Sequence, residues 1–399
     1  MTVQKNREVR IIMKLRAIVY LLAVSVFVMA TSELVVAGIL PMIADDLHVS
    51  VGTAGQLVTL YAVGVALGSP VLISAAARME RRRLLLLSCL VFVIGNAAAF
   101  AAPHYVVLAA SRVIQAVSVG VFTVIALAAG AGMAAPGRQG SAIGIILTGA
   151  SAALVLGVPI GTLIGEHFGW RLVFLLIAAV SVPLMIGLAA LMPRIESREA
   201  ASLGAQAAAL RDRRVVSALL ITLFWAMGCQ IVFAYIAPFL DEVAGLTVSE
   251  ISAALFVCGV CAVIGSRIGG YGADRWGVVR MMAASLAAHA AALALLPWAA
   301  SIRGGVYIML AVWIGSAYMT TPVLQLYLVS LSPNTSGLTL GLNNSVLQLG
   351  IALGAGAGGW VVSAGTAAQL GWAGALSVAV SMLAAWYSFS LRNAQPLEE

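Results

Sequence analysis

Residues 17–41 read AIVYLLAVSVFVMATSELVVAGILP, an apolar run with one charge, Glu33, and one proline, Pro41. A helix that crosses a bilayer needs about 20 mainly apolar residues, so this run can span unaided. Lys5, Arg7, Arg10, Lys14 and Arg16 precede it, as basic residues also precede a secretory leader. A leader's apolar core is only about 7–15 residues long, however, and this run is longer and holds an acid. It is read as an uncleaved first span that stays in the mature protein.

The pattern recurs along the chain. Of 399 residues, 62% are apolar and 9% charged, where a soluble globular protein has about 45–50% and about 25%; the mean hydropathy is +1.05. Twelve apolar stretches lie near 17–42, 53–76, 84–102, 106–130, 140–165, 172–192, 215–240, 251–272, 279–299, 304–330, 336–362 and 369–391. The runs are uninterrupted, whereas strands of a membrane barrel alternate with period two over about 10 residues. The expected fold is therefore an all-α membrane protein of twelve transmembrane helices.

Basic residues orient it. Arg78, Arg81, Arg82 and Arg83 follow the second span, Arg138 the fourth, and Arg194, Arg198, Arg211, Arg213 and Arg214 the sixth. Arg267 is near the end of the eighth, Arg275 and Arg280 follow it, and Arg392 closes the twelfth. The opposite loops hold Arg171 and Arg303 beside Asp45, Asp46, Glu166, Asp241, Glu242 and Glu250. Basic loops stay in the cytoplasm, so both termini are expected there, at residues 1–16 and 393–399. The basic balance is thus a topology signal, and no nucleic-acid partner is expected; the bilayer is.

The two halves resemble tandem copies. Leu47-His-Val-Ser50 opens the second span and Leu246-Thr-Val-Ser249 the eighth; Phe-Gly169-Trp170 precedes the sixth and Leu-Gly371-Trp372 the twelfth. Two pseudo-symmetric six-helix bundles, 17–193 and 215–392, are expected on either side of a polar cytoplasmic linker, 194–214. Transporters build central sites between such repeats.

Five segments carry a family resemblance. They are Ser32-Glu33-Leu-Val-Val-Ala-Gly-Ile-Leu-Pro41 and Gly270-Tyr-Gly-Ala-Asp274-Arg275-Trp-Gly277, then Arg112-Val-Ile-Gln115, then Gly157-Val-Pro159-Ile-Gly161 before Trp170-Arg171, and Asn344-Ser-Val-Leu-Gln348 with Gly354. In this order the chain resembles the major facilitator superfamily, and within it the bacterial twelve-span drug:proton antiporters. Met79-Glu80-Arg-Arg-Arg83 and Tyr235-Ile-Ala-Pro-Phe-Leu240 are similar to segments of purine-base efflux pumps, with cognates in chloramphenicol-resistance and sugar-efflux permeases.

The resemblance implies a major facilitator fold at the bacterial inner membrane, a monomer, and proton-coupled efflux by alternating access. The cargo would be a small neutral or amphiphilic molecule, such as a drug like chloramphenicol or a purine base or nucleoside. It implies gating roles for Arg78, Asp274 and Arg275, and places Gly157, Pro159 and Gly161 on the antiporter-motif helix. The first-half loop departs from the pattern, with Ile73, Ala77 and Glu80 where the family has Gly, Asp and Gly.

The residues support a coupling role independently. A charge at the centre of a membrane helix costs about 2.5–3.5 kcal/mol on insertion scales, so Glu33 and Arg112 are expected to pair or to line a wet cavity. At 1.5 Å per residue their depths are compatible. A carboxylate that exchanges Arg112 for a proton would couple transport; a permanent ion pair would only hold two helices. One charge crossing ~100 mV releases ~2.3 kcal/mol, enough for a concentration ratio on the order of fifty. No Gly-x-x-x-x-Gly-Lys-Ser/Thr motif occurs, so the proton motive force, with no cofactor, is the expected drive.

Gln115, Gln230, Tyr235, Gln325, Asn343, Asn344 and Gln348 are the candidate substrate-binding residues. Side-chain amides present both donors and acceptors, which suits a neutral heterocycle; they can equally join helix to helix. His289 reads as a packed histidine, and Cys258-Gly-Val-Cys261 as small-residue packing. An importer or facilitator of a small metabolite such as a sugar is the alternative reading. An enzyme or sensor is not expected, because no loop could house a catalytic domain and no catalytic or metal-binding constellation appears.

Overall fold

The computed structural model describes residues 2–68, 71–72, 79–133, 139–193, 210–302, 304–331 and 336–393, and among these it is helical with no strand. Helix is what the solvent demands, since lipid offers backbone N–H and C=O groups no partner and each segment must satisfy its own. The helices are α1 (Thr2–Leu34), α2 (Val36–Asp46), α3 (Val51–Val63), α4 (Arg81–Phe100), α5 (Tyr105–Met133), α6 (Gln139–Ala152), α7 (Val158–Phe168) and α8 (Trp170–Leu191). They continue as α9 (Arg213–Phe233), α10 (Ile236–Glu242), α11 (Val248–Trp276), α12 (Val278–Ala300), α13 (Gly305–Leu331), α14 (Ser336–Ala364) and α15 (Gln369–Asn393). Among the described residues they supply 12 helices long and apolar enough to cross a membrane. Trp360, Trp386 and Leu383 are largely exposed, a cost in water but not against acyl chains.

Several spans are not single straight helices. The first breaks at Val35, between α1 and α2, and the seventh at Ala234–Tyr235, between α9 and α10. Pro238 explains the second break: it cannot donate to the carbonyl of Ala234, and its ring crowds that carbonyl. A π-helical turn, Gly64–Gly68, follows α3, and another, Ala153–Gly157, joins α6 to α7. The latter ends two residues before Pro159, whose missing N–H leaves the carbonyl of Val155 without its helical donor.

The chain packs as two compact units. One is Met1–Val35 with Leu67–Ala200; the other is Val36–Ala66 with Ala201–Glu399. Val36–Ala66 thus packs with Ala201–Glu399. The unit borders fall at the Val35 break and inside the Gly64–Gly68 turn. Of the linker 194–214, residues 194–209 lie outside the described set, and α9 begins within its last residues.

In the first unit α1 runs alongside α6 and α7 in constant register. A Cβ added to Gly149 would strike the Ala23 carbonyl, one on Gly157 the Thr31 side chain, and one on Gly161 the Val35 side chain; the steps are eight and then four residues on both helices. The second unit repeats the device with α9 and α14. A Cβ on Gly350, Gly354 or Gly358 would lie 2.7, 2.5 or 2.6 Å from the carbonyls of Leu223, Met227 and Ile231, respectively. Small residues let membrane helices approach backbone to backbone, so the tandem repeat is visible as a repeated packing surface.

Two arginines clip α4 to its antiparallel neighbour α8. Arg82, at the start of α4, donates to the Ala189 carbonyl at the end of α8. Arg171, at the start of α8, donates to the Ala102 carbonyl just past α4 at 3.1 Å, its guanidinium stacked 4.4 Å over Trp170. Each cation thus meets the negative end of the other helix. The turn before α8 is Gly169, at φ 86 and ψ 145, and the turn before α12 is Gly277, at φ 88 and ψ 149. Only glycine takes that conformation readily. Gly371, the sequence echo of Gly169, instead lies inside α15, against the Leu293 carbonyl and Pro297 of α12.

Candidate functional site

The centre of the first unit is a buried cation. Arg112 on α5 is fully buried and donates through Nη1 to the carbonyl of Ser32 at 2.9 Å and to Oε1 of Gln115 at 2.6 Å. Its Nη2 reaches the carbonyl of Glu33 at 3.4 Å. The compatible depths read from the sequence thus become direct contact with the last turn of α1. Glu33 is half-buried, two residues before the break at Val35.

A second layer orients the guanidinium. Gln115 is fully buried, and its Nε2 donates to the Gly95 carbonyl at 3.0 Å, which turns Oε1 toward Arg112. Ser32 Oγ lies 3.1 Å from Asn96 Oδ1 and 3.3 Å from Gln115 Oε1, sharing one proton between them. Asn96 Nδ2 is tied to the Phe92 carbonyl at 2.8 Å. Gly95 permits the approach, since a Cβ there would stand 2.9 Å from Cγ of Gln115. Gln115, a candidate substrate-binding residue by sequence, is engaged in this network. Asn96 was not foreseen; its signal was an amide beside a glycine inside an otherwise apolar span.

The antiporter-motif helix supports the same segment. Gly157 packs on Thr31 and Gly161 on Val35, so the two glycines bracket Ser32 and Glu33, while Pro159 lies between them in the first turn of α7. A short, wide-turned helix thereby fixes the backbone that Arg112 grips.

In the second unit the candidates scatter. Gln230 lies on α9, four residues before the start of the break at Ala234–Tyr235. It is half-buried, and a Cβ on Gly354 would stand 2.9 Å from its own. Tyr235 is fully buried at the α9–α10 break; its hydroxyl donates to the Ala355 carbonyl at 3.0 Å, and its ring fills the space left by Gly55 of α3 and Gly358 and Gly359 of α14. Asn343 is buried and accepts from Thr222 at 2.5 Å. Gln348 is half-buried with its Oε1 out of solvent, and Asn344 and Gln325 are exposed. His289 is fully buried and accepts the Trp313 indole N–H at 3.1 Å.

Of the gating residues, Arg78 lies outside the described residues. Glu80, where the family has glycine, pairs with Arg83 at 3.2 Å. Asp274 and Arg275 are exposed in the last turn of α11, and Arg275 donates to the Tyr271 hydroxyl at 2.7 Å.

Twelve spans built as a tandem repeat, with a cation buried against a broken first span, define a membrane transporter. The profile of the Major Facilitator Superfamily matches residues 22–355, and the chain belongs to that family. It is 35% identical over 381 residues to the uncharacterized MFS-type transporter YbcL of Bacillus subtilis (strain 168), covering 96% of this chain and 98% of that protein. It is 32% identical over 353 residues to the inner membrane transport protein YdhP of Escherichia coli (strain K12), covering 88% and 90%. Among solved structures the nucleoside transporter NupG superposes with a TM-score of 0.76 at 15% identity, covering 94% of this chain and 99% of NupG. A D-xylose-proton symporter superposes with a TM-score of 0.75 at 15% identity, covering 93% and 96%. At such identities the structural likeness speaks for the fold. The chain is thus a multi-pass membrane transporter, not an enzyme.

Proposed function

We propose that this transporter is a proton-coupled exporter of a small neutral or amphiphilic molecule, working by alternating access in a bacterial inner membrane with both termini cytoplasmic. The observation that carries the reading is the grip of the fully buried Arg112 on the Ser32 and Glu33 carbonyls. An always-charged guanidinium is thereby fixed against the backbone of Ser32 and of Glu33, the one acidic residue in the apolar part of α1, at a helix break. Protonating Glu33 removes a negative charge from beside a buried cation; deprotonating it restores that charge. On this reading a proton on Glu33 changes the electrostatic field at the buried guanidinium, and with it the hold of α5 on α1, which is what coupling requires. Gln115, Ser32 and Asn96 keep the cation in place through both states. Gly157, Pro159 and Gly161 supply the rigid backing.

A pH-sensitive dye in everted membrane vesicles tests this. Purines, nucleosides, phenicols, sugars and cationic dyes are added to the wild type and to Glu33→Gln. The expected outcome is that one compound collapses the pH gradient with wild type only. An equal response in the mutant would remove Glu33 from coupling.

The second reading is proton-driven uptake, and the fold shared with a D-xylose-proton symporter favours it as the alternative. It predicts no response in everted vesicles, and alkalinisation of the medium when substrate is added to intact cells.

A further inference from the structure

Arg267 stands among the basic residues that orient the chain, but the packing of α11 on α13 sets it far from either end of a span. A Cβ on Gly265 would strike the Gly315 carbonyl and one on Gly269 the Met319 carbonyl, a step of four residues on both helices. The two helices therefore run parallel and in step, and Arg267 is level with Ala317. Since α13 runs from Gly305 to Leu331, that level is one residue from its middle. A helix of 27 residues is about 40 Å long at 1.5 Å per residue, and the hydrocarbon core is about 30 Å thick. Wherever the core falls along α13, the backbone of Arg267 lies roughly 10 Å inside its boundary.

The helices around it supply no counter-charge. Arg267 is exposed and makes no hydrogen bond or ion pair among the described residues. On α11 itself the nearest acid is Asp274, two turns away, and the other, Glu250, is in the first turn. Neither α12 nor α13, which pack against α11, holds an acidic residue. An exposed, unpaired cation at such depth stands in water rather than among acyl chains, and marks a path for substrate or ions. Phospholipid phosphates are further out still, beyond the reach of an arginine side chain.

The surface beside it is open on one side and apolar on the other. A Cβ on Gly270 would meet nothing within 4 Å, and residues three apart are neighbours on a helix surface. In the other direction Val260, Val263 and Ile264 continue the same face, 36, 41 and 51% exposed. Cleft, cation and apolar wall thus follow one another along α11. A guanidinium is always charged, and its forked N–H donors match a carboxylate with two parallel bonds. We infer that Arg267 is the recognition cation for the carboxylate of a small amphiphilic acid, whose apolar body lies along Val260, Val263 and Ile264. This rests on the transporter reading and narrows its cargo to an organic anion.

The test uses the full-length transporter. With Cys89, Cys229, Cys258 and Cys261 replaced, Ile264→Cys is exposed to a small water-soluble methanethiosulfonate, with and without 2-naphthoate or its neutral twin 2-naphthamide. Binding of both compounds, and of phosphatidylglycerol, is read by thermal shift on the wild type, Arg267→Gln, Arg267→Lys, Gly270→Leu and Arg280→Gln.

The expected result is a reactive Ile264→Cys protected by 2-naphthoate and not by the amide. Arg267→Gln should bind 2-naphthoate on the order of tenfold or more weakly, Arg267→Lys should keep part of the affinity, and Arg280→Gln all of it. An unreactive Ile264→Cys, no binding of 2-naphthoate, equal binding of acid and amide, or unchanged affinity in Arg267→Gln overturns the site. An Arg267-dependent shift with phosphatidylglycerol but not with 2-naphthoate assigns the cation to a lipid headgroup and overturns the cargo. Should Arg267→Gln fail to fold, Gly270→Leu, which keeps the cation and fills the cleft, decides: weakened binding supports the site and unchanged binding removes it. Arg267-dependent binding with no collapse of the pH gradient in everted vesicles leaves the site standing and overturns only the proton-coupled exporter.

Discussion

Gln115 shows how much one amide can hold. Its Oε1 accepts from Arg112 and its Nε2 donates to Gly95, so Gln115→Leu strips an acceptor from a buried charge. The expected loss is about 1–3 kcal/mol of stability, seen as a lowered melting temperature in detergent; Gln115→Glu, which keeps the acceptor, should lose less. Glu33 and Arg112 were legible in the sequence because a charge inside an apolar run has few explanations. Asn96 was harder to see, as a lone amide reads equally well as helix glue. Tyr235 stood in the sequence as a candidate substrate-binding residue. Its place among Gly55, Gly358 and Gly359 depends on glycines far away in sequence, and no local pattern announces that.

At the scale of the element, the glycine registers make a sharp contrast. Gly157→Ala pushes a methyl into Thr31 of α1, where overpacking costs about 1–3 kcal/mol. Gly144→Ala, on the same span, meets nothing within 4 Å and should be neutral or stabilising through helix propensity. Thermal unfolding of the two variants side by side checks this. The clips between α4 and α8 give a second expectation. Arg82→Ala and Arg171→Ala should each lower stability by about 1–3 kcal/mol. They lie at opposite ends of the pair, so the double mutant should lose close to the sum. The spans themselves were legible, since lipid imposes length and hydropathy on each one. The break at Val35 was not, because no proline stands four residues on to mark it. Nor was the difference between Gly169 and Gly371, where the same Gly-Trp pair makes a turn in one place and a helix in the other.

For the whole molecule, the contact of α3 with α14 is the one to arrest. A Cβ on Gly52 would stand 3.6 Å from that of Ser363, inside the usual disulfide span of about 3.5–4.5 Å. Gly52→Cys with Ser363→Cys should therefore cross-link under oxidant, stop transport, and recover with reductant; continued transport by the cross-linked protein would mean that α3 and α14 need not part.

That contact belongs to the stretch Val36–Ala66, which is covalently part of the first repeat yet packs with the second. On the alternating-access reading, such a stretch serves two sets of neighbours in turn. Its side chains are then selected twice, once for each fit, while those of α4 or α15 are selected once. In a saturation-mutagenesis library screened for transport, its buried positions should tolerate the fewest replacements in the chain. The losses should divide into two kinds, some variants halted before release of cargo and others after it.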